Sequence, residues 1–154
     1  MYYRTGEVRQ ILDPTAPEDI SDIKQIYSFV DKDNFKSNHK CFLNPTFGEA
    51  SKLVGGADAD LIIDDTLIDI KTVRHLEIQR KYLNQILGYY LLSLIGGVND
   101  DPNYKPIEKI GLYFARHGEL WTVPVKQFGD KVKFDKFKDW FLRYISENIT
   151  ITQF

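Results

Sequence analysis

Residues 58–71, running Asp58-Ala59-Asp60-Leu61-Ile62-Ile63-Asp64-Asp65-Thr66-Leu67-Ile68-Asp69-Ile70-Lys71, constrain this chain more than any other stretch. Two apolar runs flank an Asp-Asp pair, the pattern of two short strands joined by a tight turn. With Asp64 and Asp65 as the two loop residues, Ile63 faces Thr66, Ile62 faces Leu67, Leu61 faces Ile68 and Asp60 faces Asp69. Cross-strand partners share a sheet face, as do residues two apart on one strand. The hairpin therefore gathers Asp58, Asp60, Asp69 and Lys71 on one face, and Leu61, Ile63 and Ile68 on the other. An odd-length loop without a bulge would instead send Asp60 and Asp69 to opposite faces.

Opposed carboxylates repel unless something neutralises them. A divalent cation does so: Mg²⁺ takes oxygen ligands and keeps several waters, so two carboxylates suffice to hold it. Lys71 projects to the same face, where its ammonium can orient a nucleophilic water or a phosphate. Cation, water and lysine together describe metal-assisted phosphodiester hydrolysis. The competing reading is a solvated Asp69–Lys71 ion pair of little energetic consequence.

Asp60-Leu61-Ile62-Ile63, followed by Asp69-Ile70-Lys71, resembles the PD-(D/E)xK nuclease superfamily, and Gln85-Ile86-Leu87-Gly88-Tyr89 resembles the Gln-x-x-x-Tyr signature of its RecB-like branch. The resemblance covers about residues 45–125. Ala59 stands where the family name has Pro. The family also carries a Glu on a helix, then a strand, before the Asp-bearing strand, and Glu49 lies only eleven residues before Asp60. Either the first strand shortens to Lys52-Leu53-Val54, or the helix in question is the earlier one containing Glu18. Gly55-Gly56-Ala57-Asp58 resembles a Gly-x-x-Asp form of the branch, so Asp58 and Asp60 both remain candidates for the main ligand. Asp60 is favoured because it faces Asp69.

The resemblance implies an α/β fold of the restriction-endonuclease-like type, with a central mixed β-sheet flanked by helices. It implies a Mg²⁺-dependent nuclease, with Mn²⁺ a candidate substitute, hydrolysing phosphodiester bonds in nucleic acid, DNA first, to leave a 5′-phosphate. Asp60 and Asp69 would hold the metal, with Glu49 a candidate third ligand and the Ile70 carbonyl a fourth. Lys71 would position or activate the water, and Gln85 and Tyr89 would support the site or the substrate. Glu49 has a second reading, since it stands three residues after Thr46 at capping-box spacing. The alternative function is a catalytically inactive nuclease-fold subunit that binds nucleic acid or scaffolds a larger complex. A third is an unrelated protein with a coincidental motif.

Composition bounds these readings. A chain of 154 residues with 43% apolar content fits one domain with a sizeable core. The single cysteine, Cys41, excludes an internal disulfide, and its place in Cys41-Phe42-Leu43 reads as a buried thiol. The start, Met1-Tyr2-Tyr3-Arg4, lacks a signal-like apolar stretch, and Ile86–Ile95 is too short to span a bilayer, so the expectation is a cytoplasmic protein with no membrane partner. A protein partner or homo-oligomer stays open. Residues 1–70 carry 13 acids against 7 Lys and Arg, whereas residues 71–154 carry 13 Lys and Arg against 9 acids. Arg74, Arg80 and Lys81 follow the hairpin and are candidate phosphate contacts, and Lys131, Lys133, Lys136 and Lys138 cluster later. No P-loop or Gly-x-Ser-x-Gly supports ATP or serine-hydrolase chemistry.

The spacing predicts a helix over 17–31, opened by the capping-box pattern Thr15-Ala16-Pro17-Glu18, and a short strand at Cys41–Leu43. A short helix from about Asn44 to Gly55 competes with a strand over Ser51–Val54. A long helix over 76–95 stops at Gly96-Gly97. A second hairpin turns at His117-Gly118, and an amphipathic helix over 131–147 carries Phe134, Phe137, Trp140, Phe141, Tyr144 and Ile145. On the long helix, Leu76, Leu83, Leu87, Tyr90 and Leu94 form an apolar stripe, with Gln85 and Tyr89 nearly opposite it. His75 reads as a cap or surface residue and His117 as a turn residue.

Overall fold

A computed structural model describes residues 16–148. Helix α1 (Pro17–Ser28) and a 3-10 turn (Lys32–Phe35) precede strand β1 (Cys41–Leu43) and the short helix α2 (Glu49–Leu53). Strands β2 (Leu61–Ile63) and β3 (Thr66–Lys71) lead into the long helix α3 (Arg80–Gly96). Strands β4 (Lys109–Phe114) and β5 (Glu119–Pro124) follow, with a 3-10 turn at Val125–Gln127 and helix α4 (Lys131–Asn148). The five strands form one mixed sheet in chain order. β3 and β4 run parallel, with α3 in the crossover, and the other neighbours are antiparallel. This is an α/β fold with a mixed sheet flanked by helices. Among the described residues no helix is long and apolar enough to cross a membrane.

The hairpin adopts the two-residue loop: Leu61 pairs Ile68, Ile62 pairs Leu67 and Ile63 pairs Thr66. Asp64 takes the left-handed conformation at φ +53°, which Asp tolerates through local hydrogen bonding. Its carboxylate accepts from Ser37 Oγ at 2.9 Å and from the backbone N–H groups of Asn38, His39 and Lys40 at 3.0, 2.9 and 3.0 Å. Those donors hold its pKa far below the ordinary carboxylate value. The loop thereby fixes the chain entering β1.

Alternation along the strands divides the core. Ile62, Leu67, Ile110, Leu112 and Phe114 pack beneath α3 with Phe47, Tyr82 and Ile86. Leu61, Ile63, Ile68 and Tyr113 form a smaller cluster on the other face, with Ile26 of α1 and Phe35 against it. Arg116 and Asp22 join α1 to the β4–β5 loop by paired hydrogen bonds of 2.6 and 2.5 Å.

Several elements differ from expectation. α1 ends at Ser28, its N-cap is Ala16 with no side-chain cap bond, and Thr15 lies outside the described residues. α2 starts at Glu49 behind the N-cap Gly48, so Thr46 does not cap it and Ser51–Leu53 is helical. Cys41 is exposed, because β1 is an edge strand that turns only Phe42 toward the core. α3 begins at Arg80, four residues later than the apolar spacing suggested, behind an extended Gln79. The β4–β5 loop has four residues, 115–118, because Phe114 pairs Glu119. Finally, α3 buries Tyr82, Ile86, Leu91 and Leu92, whereas the expected stripe residues Leu83, Leu87 and Tyr90 are only half-buried and Leu94 is exposed. α3 is apolar on two adjoining faces, one against the sheet and one toward Phe134 of α4, and the wheel favoured the second.

Candidate active site

The last two inward positions of β3 are Asp69 and Lys71, which follow Leu67 on the face beneath α3. Asp69 is only 2% exposed, an unusual place for a carboxylate. Burial pushes its carboxyl pKa up, the Lys71 ammonium pulls it down, and the nearby Asp60 charge adds to the rise. Lys71 Nζ lies 2.5 Å from Asp69 Oδ2, a close ion pair and the one polar partner of this buried oxygen among the described residues.

Asp60 lies one residue beyond the Leu61–Ile68 pair, where the ladder would place it opposite Asp69. Its Oδ2 accepts the Ile70 backbone N–H at 2.6 Å. The side chain thus closes the ladder where β2 ends and is held beside the Asp69–Lys71 segment. Asp58 is exposed and forms an isolated bridge with Thr46.

Helix α3 supplies the third side of the site. Lys71 Nζ donates to Gln85 Oε1 at 2.7 Å, and Gln85 Nε2 donates to the Tyr89 hydroxyl at 3.0 Å. Gln85 and Tyr89 are one helical turn apart. Tyr89 stacks on Phe47, with ring centroids 5.9 Å apart. The structure therefore links Asp69, Lys71, Gln85 and Tyr89 into one continuous polar chain, with Asp60 beside it.

Other candidates fall in different places. Glu49 is bonded to Lys52 at 2.7 Å with its side chain 86% exposed. Among the described residues no three His, Cys, Asp or Glu side chains gather as a metal-ligand group, so Glu49 is not brought to the Asp60–Asp69 pair. Lys81 lies over the Tyr82 ring at 5.1 Å, and Lys71 lies over the same ring at 4.9 Å. Tyr82 was not singled out in the sequence, although it precedes Gln85 by three residues on the same helix side. Arg74 and Arg80 are exposed. The first turn of α3 contains no acidic residue and its N-cap makes no side-chain cap bond. Unpaired N–H groups and the positive end of the helix dipole thus meet the cations Arg80 and Lys81.

A buried carboxylate with a second carboxylate alongside suits a hard cation with open water positions. The residues present fit such an ion with two protein carboxylates rather than three. Comparison with known proteins gives no match: no family model matches the chain, and no curated protein or solved structure matches it.

Proposed function

We propose that this protein is a metal-dependent nuclease of the restriction-endonuclease-like fold, acting on DNA. The observation that carries the reading is the buried Asp69 carboxylate, flanked by Asp60 and tied through Lys71 to Gln85 and Tyr89. A buried carboxylate facing a second one disfavours the empty folded state. Such strain is concentrated at functional sites.

Asp60 and Asp69 would hold Mg²⁺ or Mn²⁺, which when bound supplies Lewis-acid polarisation of a phosphate oxygen and a water of lowered pKa. Lys71 places an ammonium beside Asp69, where it can hold a phosphate oxygen or the attacking water. Gln85 accepts from that ammonium and fixes its direction, and the Tyr89 hydroxyl, accepting from Gln85 Nε2, fixes the amide in turn. The uncapped, cationic start of α3 attracts the phosphate backbone from the same side.

The direct test incubates purified protein with end-labelled single- and double-stranded DNA in Mg²⁺, Mn²⁺ or EDTA. Cleavage with either metal and none in EDTA is the expected result. Absence of cleavage under all conditions removes the enzymatic reading.

A second reading has its own support. The site offers two clustered carboxylates rather than three, and Asp60 already spends one oxygen on the Ile70 N–H. A nuclease-fold module that binds nucleic acid without cutting it would show saturable DNA binding that survives EDTA.

A further inference from the structure

A slot of about 330 Å³ opens beside Lys71, and none of the site residues described above lines it. Phe114 pairs with Lys71 across β3 and β4, and Glu119 pairs with Phe114 across β4 and β5. One step inward, Asp69, Leu112 and Trp121 are aligned in the same way. Directly paired residues share a sheet face. The slot walls Phe114, Glu119 and Trp121 therefore lie on the face that carries Asp69 and Lys71, the outer strand about 10 Å from β3 at two strand spacings.

The opposite wall is the connection from β3 to α3. Leu76 and Ile78 stand there 55% and 40% exposed, with Glu77 between them. This connection explains why α3 starts late: Leu76 and Ile78 lean over the slot instead of extending the helix. The site so built has aromatic and aliphatic walls and two exposed carboxylates at its rim. Carboxylates repel phosphate and other anions, and they accept hydrogen bonds from neutral N–H donors. Its volume is at the low end for ligand pockets, which suits one flat ring system.

We propose that this slot binds the nucleobase of the nucleotide whose phosphate lies at Lys71, and that it favours bases bearing an exocyclic amine. The proposal rests on the nuclease reading for the position of the phosphate. Cytosine, adenine and guanine offer the amine, and a carboxylate accepting from it is an established form of base recognition. Thymine lacks that group. Stacking on the partly buried Trp121 would serve every base, as aromatic platforms do. The Glu77 and Glu119 carboxylates supply the discrimination.

Trp121 provides a readout independent of turnover. The chain has two tryptophans, and Trp140 is half exposed on α4, so Trp140→Phe isolates the Trp121 fluorescence. That protein is titrated in EDTA and in Mg²⁺ with each of the four deoxynucleoside 5′-monophosphates. Saturable change is expected, with dCMP, dAMP and dGMP binding about tenfold or more tighter than dTMP, a difference of about 1.4 kcal/mol. Replacing both Glu77 and Glu119 by Leu, which removes the acceptors, should bring the four within about threefold of one another, under 1 kcal/mol. No saturable change up to about 10 mM, ten times a millimolar Kd, overturns the proposal. Retained preference in the double Leu variant overturns it as well. Fluorescence saturation without DNA cleavage would leave the slot standing and sink the nuclease reading, and cleavage without saturation would do the reverse.

Discussion

Lys71 donates to Gln85 Oε1 across the gap between β3 and α3 at 2.7 Å. The same ammonium touches Asp69 Oδ2, so one side chain couples the strand carboxylate to the helix amide. Removing it separates two functions. Lys71→Ala should lower turnover by about 10²–10⁴-fold, the usual worth of a positioned proton-transfer group. It should also lower metal-free stability by about 1–3 kcal/mol, because Asp69 stays buried without its counter-charge. Saturating Mg²⁺ should restore much of that stability but none of the turnover. Cleavage at the wild-type rate by this variant would reduce Lys71 to a structural neighbour.

The carboxylates should report metal directly. A ligand of the folded state stabilises it by about 2.7 kcal/mol at a hundredfold excess over Kd, so Mg²⁺ or Mn²⁺ should raise the melting temperature. Asp69→Asn should abolish most of that rise. Calorimetry with no saturable divalent binding at about millimolar metal, a Kd near the weak end of specific affinity, counts against the pair as a metal site.

Gln85 and Tyr89 need different substitutions. Gln85 is exposed, so Gln85→Ala should leave melting almost unchanged, whereas Tyr89→Ala would also lose the stack on Phe47. Tyr89→Phe retains the ring and removes only the hydroxyl. Both variants should reduce turnover or DNA affinity, and because they act through one chain their effects should be non-additive in a double-mutant cycle. Ile86→Ala, at a fully buried neighbour, should cost about 2–5 kcal/mol instead. Strict additivity between Gln85→Ala and Tyr89→Phe would break the link drawn between them.

Asp64 sets a pH dependence away from the site. Its folded pKa is depressed by the Ser37, Asn38, His39 and Lys40 donors, so its contribution is present above the unfolded value of about 3.9. That contribution is lost as pH falls from there through the folded value. Asp64→Asn should therefore melt earlier than the wild type at neutral pH, with the gap shrinking steadily below about pH 4. A gap independent of pH would show that shape rather than charge makes the clamp.

The local part of this architecture was readable and the tertiary part was not. Hairpin register followed from alternation plus a two-residue turn, which is why Leu61, Ile63 and Ile68 could be separated from Asp60, Asp69 and Lys71. The Gln85–Tyr89 spacing marked an odd polar pair on an apolar helix. What failed depended on neighbours. Cys41 looked buried because its run is apolar, but an edge strand has only one partner. The stripe of Leu83, Leu87, Tyr90 and Leu94 looked like the core face, because a wheel cannot tell which of two apolar faces meets the sheet. Glu49 stood at capping-box spacing and was a candidate third ligand, yet α2 turns it toward Lys52. The slot under Leu76 and Ile78 had no linear signature, being assembled from two strands and a connection.

Gly96 carries a mechanical consequence. A methyl group added there would meet the Phe47 carbonyl oxygen at 1.9 Å and Ala50 at 2.8 Å, so the end of α3 lies directly on the chain leading into α2. Phe47 in turn stacks on Tyr89, two turns earlier on the same helix. Helix α3 is thus pinned at two points along its length, against both sliding and rolling. The amide that faces Lys71, and the hydroxyl behind it, are thus carried on a helix braced like a beam rather than hung on a hinge.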